Sequence, residues 1–331
     1  MLQSLYRPIL REALIITWKH KYLWFFGLFV VFLGNGGEYE IFFHALSQSG
    51  KGAQFPFLST LWNGNVFSLY FLKNFFQNFF SDPFSSIVSL IIVLLFFIAI
   101  VFLIWLSVTS QGALIYCVNQ IDGVKKLRIG QGIEKARQHF RDIFFVNVIY
   151  YVLLFLFLTI IGLPIYALVL GRGITAGIFL LYFVNFLIFL PLAIIVSFIT
   201  KYAVISIVIE KQDAWGALER GWKLFLRYWL PSLEMSIILF FVNLFLSLLV
   251  IIALIFIAIP FVIFGIIATV SVGSNIPLLF LMTLGALVLL FILIFVGMFA
   301  LTFQYTVWTL FFRRISQDGI VSKLIRFVAR A

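Results

Sequence analysis

Long apolar runs at about 84–118, 143–170, 174–209, 231–272 and 276–312 dominate the chain, separated by short polar stretches. Each run exceeds the roughly 20 residues that a helix needs to cross a hydrocarbon layer of about 30 Å. Open strands are excluded in that setting, because unpaired backbone N–H and C=O groups are too costly in lipid. The runs therefore predict helices. A shorter run, Tyr22–Leu33, holds about 12 residues, a length that suits an interfacial or re-entrant piece. It spans only if its helix continues back through Ile15, Ile16 and Trp18, with Lys19 and Lys21 snorkelling. The charged-then-apolar order around it also resembles a signal peptide. The lead-in is long, however, and Gly34-Asn35-Gly36 is not a small-x-small cleavage pattern, so an uncleaved helix is expected.

The connections differ in kind. Gly171-Arg172-Gly173 and Gly273-Ser274-Asn275 read as tight glycine turns. The connection at 34–82 is long. Phe71, Phe75 and Phe79 alternate there with Lys73, Asn74, Gln77 and Asn78, which predicts an amphipathic helix on the membrane surface.

Composition agrees with lipid as the solvent: 64% of the 331 residues are hydrophobic and 11% are charged, against about 25% charged in a soluble domain. The net charge of +11 is read first as orientation. Of the 23 lysines and arginines, 20 fall in 1–21, 119–142, 201–229 and the tail after 312. Lys51, Lys73 and Arg172 are the remaining three. Six spans with both termini in the cytoplasm produce that division naturally; five blur it. The expected fold is thus an all-α polytopic bundle, one integral membrane domain over 1–331, in the cell (plasma) membrane. A nucleic-acid partner would need a basic stripe on a soluble fold, and neither is visible. The single cysteine, Cys117, cannot make an internal disulfide.

One connection is written differently from the rest: DAWGALERGWKLFLRYWLP at 213–231. At helical spacing Trp215, Leu218, Trp222, Phe225 and Trp229 form one stripe, and Glu219, Arg220, Lys223 and Arg227 fall opposite it. Asp213 suits an N-cap, Glu219 precedes Lys223 by four in the favourable order for an ion pair, and Pro231 opens the next span. Such a helix is suited to the headgroup layer, with tryptophans at the interface and cations toward lipid phosphates.

The same writing recurs. ALIITWK at 13–19 shares Ala-Leu-x3-Trp-Lys with ALERGWK at 217–223. GIEKARQHF at 132–140 matches the latter copy at Ile133/Leu218, Glu134/Glu219, Lys135/Arg220 and Phe140/Phe225. The returning spans rhyme too: GALIYCV at 112–118, YAVISIV at 202–208 and YTVWTLF at 305–311. The expectation is three parallel repeats, at about 4–118, 130–209 and 213–312, each a cytoplasmic amphipathic helix followed by a hairpin of spans.

The stretches GALIYCVNQIDG, GQGIEKARQHF and KYAVISIVIEKQDAWGALERGWKLFLRYWLP resemble the cytoplasmic connections of the bacterial membrane domain of glycerophosphoryl diester phosphodiesterases and its free-standing relatives. The resemblance covers about 105–235 and rests on a short motif. It implies a multi-span membrane domain. In fused members a separate soluble barrel carries the catalytic acids and metal, and nothing like that barrel fits in this chain, so the activity does not transfer.

Chemistry is sparse. His20, His44 and His139 are scattered, and Glu40 with His44 would make only half a metal site. No metal, cofactor or catalytic residue is assigned, and a non-enzymatic role is expected. The interfacial candidates are Trp18, Lys19, Lys135, Arg137, Arg141, Trp215, Arg220, Trp222, Lys223, Arg227, Trp229, Arg313 and Arg314. The polar candidates inside the spans are Glu234, Asn147, Asn185, Asn243 and Gln304. Glu234 is expected to reach water or to pair with Arg227 or Lys201, and the amides to hydrogen-bond between helices. Pro164, Pro191 and Pro260 are expected to kink or end helices. Two functions fit: a lipid-interacting scaffold or partner subunit, its partners being membrane lipids of anionic charge and a protein at the cytoplasmic face; or a transporter or lipid-translocating protein with a cavity between repeats.

Overall fold

A computed structural model of the chain describes residues 6–33, 83–121, 129–167, 176–273 and 276–318. Every element among them is helical: α1 (Tyr6–Lys19), α2 (Leu23–Val30, continued by a 3-10 turn, Val31–Leu33), α3 (Pro83–Gln120), α4 (Ile129–Gln138), α5 (Phe140–Ala167), α6 (Ala176–Glu210), α7 (Ala214–Val272) and α8 (Ile276–Asp318). Five of these, α3 and α5 to α8, contain stretches long and apolar enough to cross a membrane. The run at 22–33 does not join them as one helix. Its helix is 8 residues long, and a turn at His20–Tyr22 separates it from α1, with Leu23 N–H donating to His20 O. The long connection at 34–82 and its phenylalanine-rich segment lie outside the described residues, as do Glu40, His44 and the turn at 171–173.

Burial divides the molecule into two parts. Residues 107–118 of α3, 197–208 of α6 and 302–312 of α8 are buried almost without interruption. Around them pack the short helices: α1 on α8, α4 on α3, and the first turns of α7 on α6. This is the packed end. Beyond it the helices become shafts whose large apolar side chains are mostly open, such as Phe256 at 72% and Phe280 at 66% exposure. Lipid tails are as apolar as leucine, so no hydrophobic force draws the shafts together.

Several hydroxyls deep in the packed end are satisfied locally by their own helices. Ser107, Thr306 and Thr309 each donate to the carbonyl four residues back at 2.7 Å. Small residues bring backbones close. A Cβ on Gly221 would stand 2.7 Å from Ile199 O, and one on Gly27 2.5 Å from Met298 O. Bulk at either place would separate α7 from α6, or α2 from α8.

The segment 213–231 is not a separate helix. It is the first part of α7, which runs on to Val272. The break falls at Tyr228 (φ −126°, ψ 28°), three residues before Pro231. Pro231 has no N–H for the carbonyl of Arg227, and its ring crowds that carbonyl. The backbone at Tyr228 gives way. By contrast α6 and α7 continue as helix through Pro191 and Pro260. At the far end of α7, Gly273 takes the left-handed conformation (φ 69°), and its N–H donates to Thr269 O. This is the glycine-ended helix expected there.

Candidate functional site

The start of α7 has three faces rather than two. Trp215, Trp222 and Trp229 are open, at 67%, 48% and 54% exposure. Glu219, Lys223 and Arg227 are also exposed. The third face, Ala214, Ala217, Gly221, Leu224 and Tyr228, is buried against the rest of the packed end. The Trp stripe hid this face in the sequence, because small residues carry little hydrophobic weight. Leu218 and Phe225, assigned to the stripe, are half-buried, and Phe225 stacks on Phe198 of α6.

The charges on this segment divide by partner. Lys223 pairs with Glu219 at 2.6 Å, both well exposed, an arrangement worth only a few tenths of a kcal/mol. Arg220 reaches back to Glu210 at the end of α6, its Nη2 donating to Oε1 at 3.3 Å. Glu210 also accepts from Ser206. Arg220 therefore ties α7 to α6. Arg227 lies over the ring of Tyr228, 5.5 Å from its centre. Asp213 holds the N-cap position with extended backbone, and its carbonyl accepts from Ala217, but its carboxylate makes no cap hydrogen bond. The other interfacial candidates belong to the same end. Trp18 is 61% exposed and meets Trp24 and Phe299 edge-on. Lys19, Lys135, Arg137 and Arg141 are exposed, and Arg313 and Arg314 are half-buried at the close of α8.

The polar candidates fare unequally. Asn147 of α5 donates to Gln111 Oε1 of α3 at 2.8 Å, and Gln111 Nε2 donates to the hydroxyl of Tyr305 on α8 at 3.1 Å. One chain of bonds thus links three helices. Asn185 reaches Ile160 O only at 3.5 Å. The buried Nδ2 of Asn243 has no partner among the described residues, contrary to the interhelical bond expected of it. Glu234 accepts a hydrogen bond from the hydroxyl of Tyr6 on α1. Tyr202 and Ser232 share a bond between α6 and α7 at 2.5 Å, and Thr302 donates to Leu23 O between α8 and α2 at 3.3 Å.

Gln304, a candidate from the sequence, stands in a row with Gln111 and Lys201 that sequence reading missed. Each immediately precedes one of the rhyming segments, on α3, α6 and α8. All three are buried, at 2%, 8% and 3% exposure. Together with Ile115, Ile205 and Trp308, each four residues further on, they line a void of about 10 Å3, on the scale of one water molecule. The ammonium of Lys201 sits 4.9 Å from the centre of the Trp308 ring, where the aromatic face attracts a cation. The register itself was the available signal: a polar residue before each rhyme. No group of three or more His, Cys, Asp or Glu side chains suited to a metal occurs among the described residues.

No protein-family model, curated protein or solved structure matches the chain.

Proposed function

We propose that this protein is a lipid-interacting integral membrane scaffold or partner subunit, non-enzymatic, whose packed end forms a collar at the cytoplasmic face of the plasma membrane. One observation carries the reading: a single end of the molecule holds the exposed tryptophans 18, 215, 222 and 229 together with exposed Lys19, Lys135, Arg137, Arg141, Lys223 and Arg227. Aromatic and cationic side chains share that pattern at a membrane–water boundary.

Lengths support the placement. The shafts of α3, α6 and α8, from their outer ends to the packed stretches, hold about 24, 21 and 26 residues, or roughly 36, 32 and 39 Å of helix. Each is enough to cross about 30 Å of hydrocarbon. The packed end then lies at the inner headgroups, where water returns and burial of apolar surface regains its driving force.

The finer architecture belongs to the same proposal: six spans in three repeated units closed into a ring. Matching positions support it. The pairs Ala13/Thr17, Gly132/Ala136 and Ala217/Gly221 fall in the same register and are all buried. Each short helix seats on the returning helix before it, and α1 seats on α8, the last. Side-chain clasps tie α5 to α3, α7 to α6 and α2 to α8.

Two measurements test this. Nanodiscs holding mixed phosphatidylglycerol and phosphatidylcholine should show phosphatidylglycerol enriched around the protein, and changing Arg137, Arg141, Lys223 and Arg227 to Gln should cut that enrichment several-fold. Arg220 stays native, being engaged by Glu210. Unchanged enrichment sinks the reading. For the sixth span, Lys19→Cys and Gln317→Cys should react with an impermeant maleimide from the same side, and Gly273→Cys from the other; Lys19→Cys reacting with Gly273→Cys leaves five spans.

A second reading, translocation between the units, draws on the buried row Gln111, Lys201 and Gln304. The void there is about 10 Å3, too small for a lipid or a solute, so this reading ranks below the first.

A further inference from the structure

The first helix carries a groove that the collar does not use. It is an open cleft of about 420 Å3 along α1, closed on one side by Ile121 after the last turn of α3. Arg7, Arg11 and Ile15 line it at steps of four, and Glu12 and Ile16 line it beside them. Residues four apart on a helix share a face, so the groove has a direction. From Arg7 through Arg11 to Ile15 and Ile16 it passes from guanidinium to hydrocarbon, and it does so toward α2 and the shafts. Both arginines are exposed, Ile121 is half-buried and Ile16 is buried. Among the described residues neither arginine nor Glu12 is held in an ion pair.

We infer that this groove seats one phospholipid whose headgroup carries both a phosphate and a primary ammonium, an inference that rests on the lipid-facing reading of the packed end. The polarity gradient of the groove is that of a lipid in the inner leaflet, headgroup first and acyl chain after. Two guanidinium groups one turn apart match phosphate oxygens, which arginine binds through paired N–H donors. Glu12 decides the headgroup. Beside a purely anionic head its carboxylate repels; beside an ammonium it attracts. The volume lies within the range of small-molecule sites, about 300–1,000 Å3. The site has no counterpart in the other short helices. The positions matching Arg11 are Gly130 and Trp215, so one seat per chain follows.

Native mass spectrometry of the full chain, purified in detergent and offered phosphatidylethanolamine, phosphatidylcholine or phosphatidylglycerol at equal concentration, tests this. One phosphatidylethanolamine should be retained about tenfold more than either of the others, a factor worth about 1.4 kcal/mol. Arg7→Gln with Arg11→Gln should erase that excess, and Arg7→Lys with Arg11→Lys should reduce it several-fold while keeping the charge. Glu12→Gln should remove the preference over phosphatidylglycerol. Changing Lys223 and Arg227 to Gln should leave the seat intact, which separates it from the collar. Equal retention of all three lipids overturns the inference, as does an excess that survives loss of both arginines in protein with a native size-exclusion profile. Displacement by free phosphoethanolamine at matching concentration would reassign the seat to a soluble phosphoester and overturn it too.

Discussion

The packed end and the shafts are made from the same helices, yet they obey different rules. Along α8, Thr302–Phe312 is buried throughout, whereas Phe291 and Phe295 a few turns away are exposed. In the shafts, apolar side chains are content with lipid, and tertiary contact adds little. At the packed end α3, α6 and α8 are covered by the short helices, so the buried side chains there need defined neighbours. Thr306 is satisfied by a carbonyl of its own helix and Asn147 by Gln111, while the buried hydroxyls of Thr17 and Thr109 find no partner among the described residues. Apolar character therefore marks where the chain can cross, and the small and polar residues mark where it is held together.

The largest test of that contrast is steric. Gly221→Leu forces bulk against Ile199 O and Ala203 N. It should cost about 3 kcal/mol or more and lower the melting temperature sharply. Gly297 in the α8 shaft has nothing within 4 Å of a built Cβ, so Gly297→Leu should be neutral. Cys117, the one cysteine and fully buried at the packed end, supplies the readout: a thiol-reactive dye reports its exposure during heating. Equal melting of both variants breaks the comparison.

Next comes the amide chain. Asn147→Ala leaves Gln111 Oε1 without the donor it now has, at a cost of about 1–2 kcal/mol. Asn185→Ala in the shafts loses only a bond at 3.5 Å and should stay within about 0.5 kcal/mol. A double cycle between Asn147 and Gln111 should show coupling; additive losses would sink the proposed link. Tyr6→Phe should cost about 1 kcal/mol by removing the donor to Glu234, and Tyr6→Phe with Glu234→Leu should recover part of it. The smallest effect belongs to the exposed pair. Glu219→Gln should change stability by about 0.5 kcal/mol at most, and a larger loss would show that this face is not solvated.

Much was legible in the chain. The apolar runs became five helices long and apolar enough to cross a membrane, a property that length and hydropathy alone decide. The Glu219–Lys223 pair and the exposed tryptophans followed from helical spacing. Less legible was the site. Arg220 reads as one cation among several until Glu210 is placed beside it. Glu234 gave no sign of Tyr6, which lies 228 positions away. Pro231 read as the opening of the next span, yet one helix runs through it and the break falls at Tyr228, because the proline acts on the carbonyl of the preceding turn.

The sequence by itself determined the medium, the helices and the end at which aromatic and basic residues gather, since each depends on local composition or on a period of 3.6. Only the tertiary structure decided which small residues are contacts, which polar groups find partners, and that Gln111, Lys201 and Gln304 face one void. Those outcomes depend on which helices lie side by side, and in lipid that choice is made by close packing and hydrogen bonds between distant positions rather than by hydrophobic pattern.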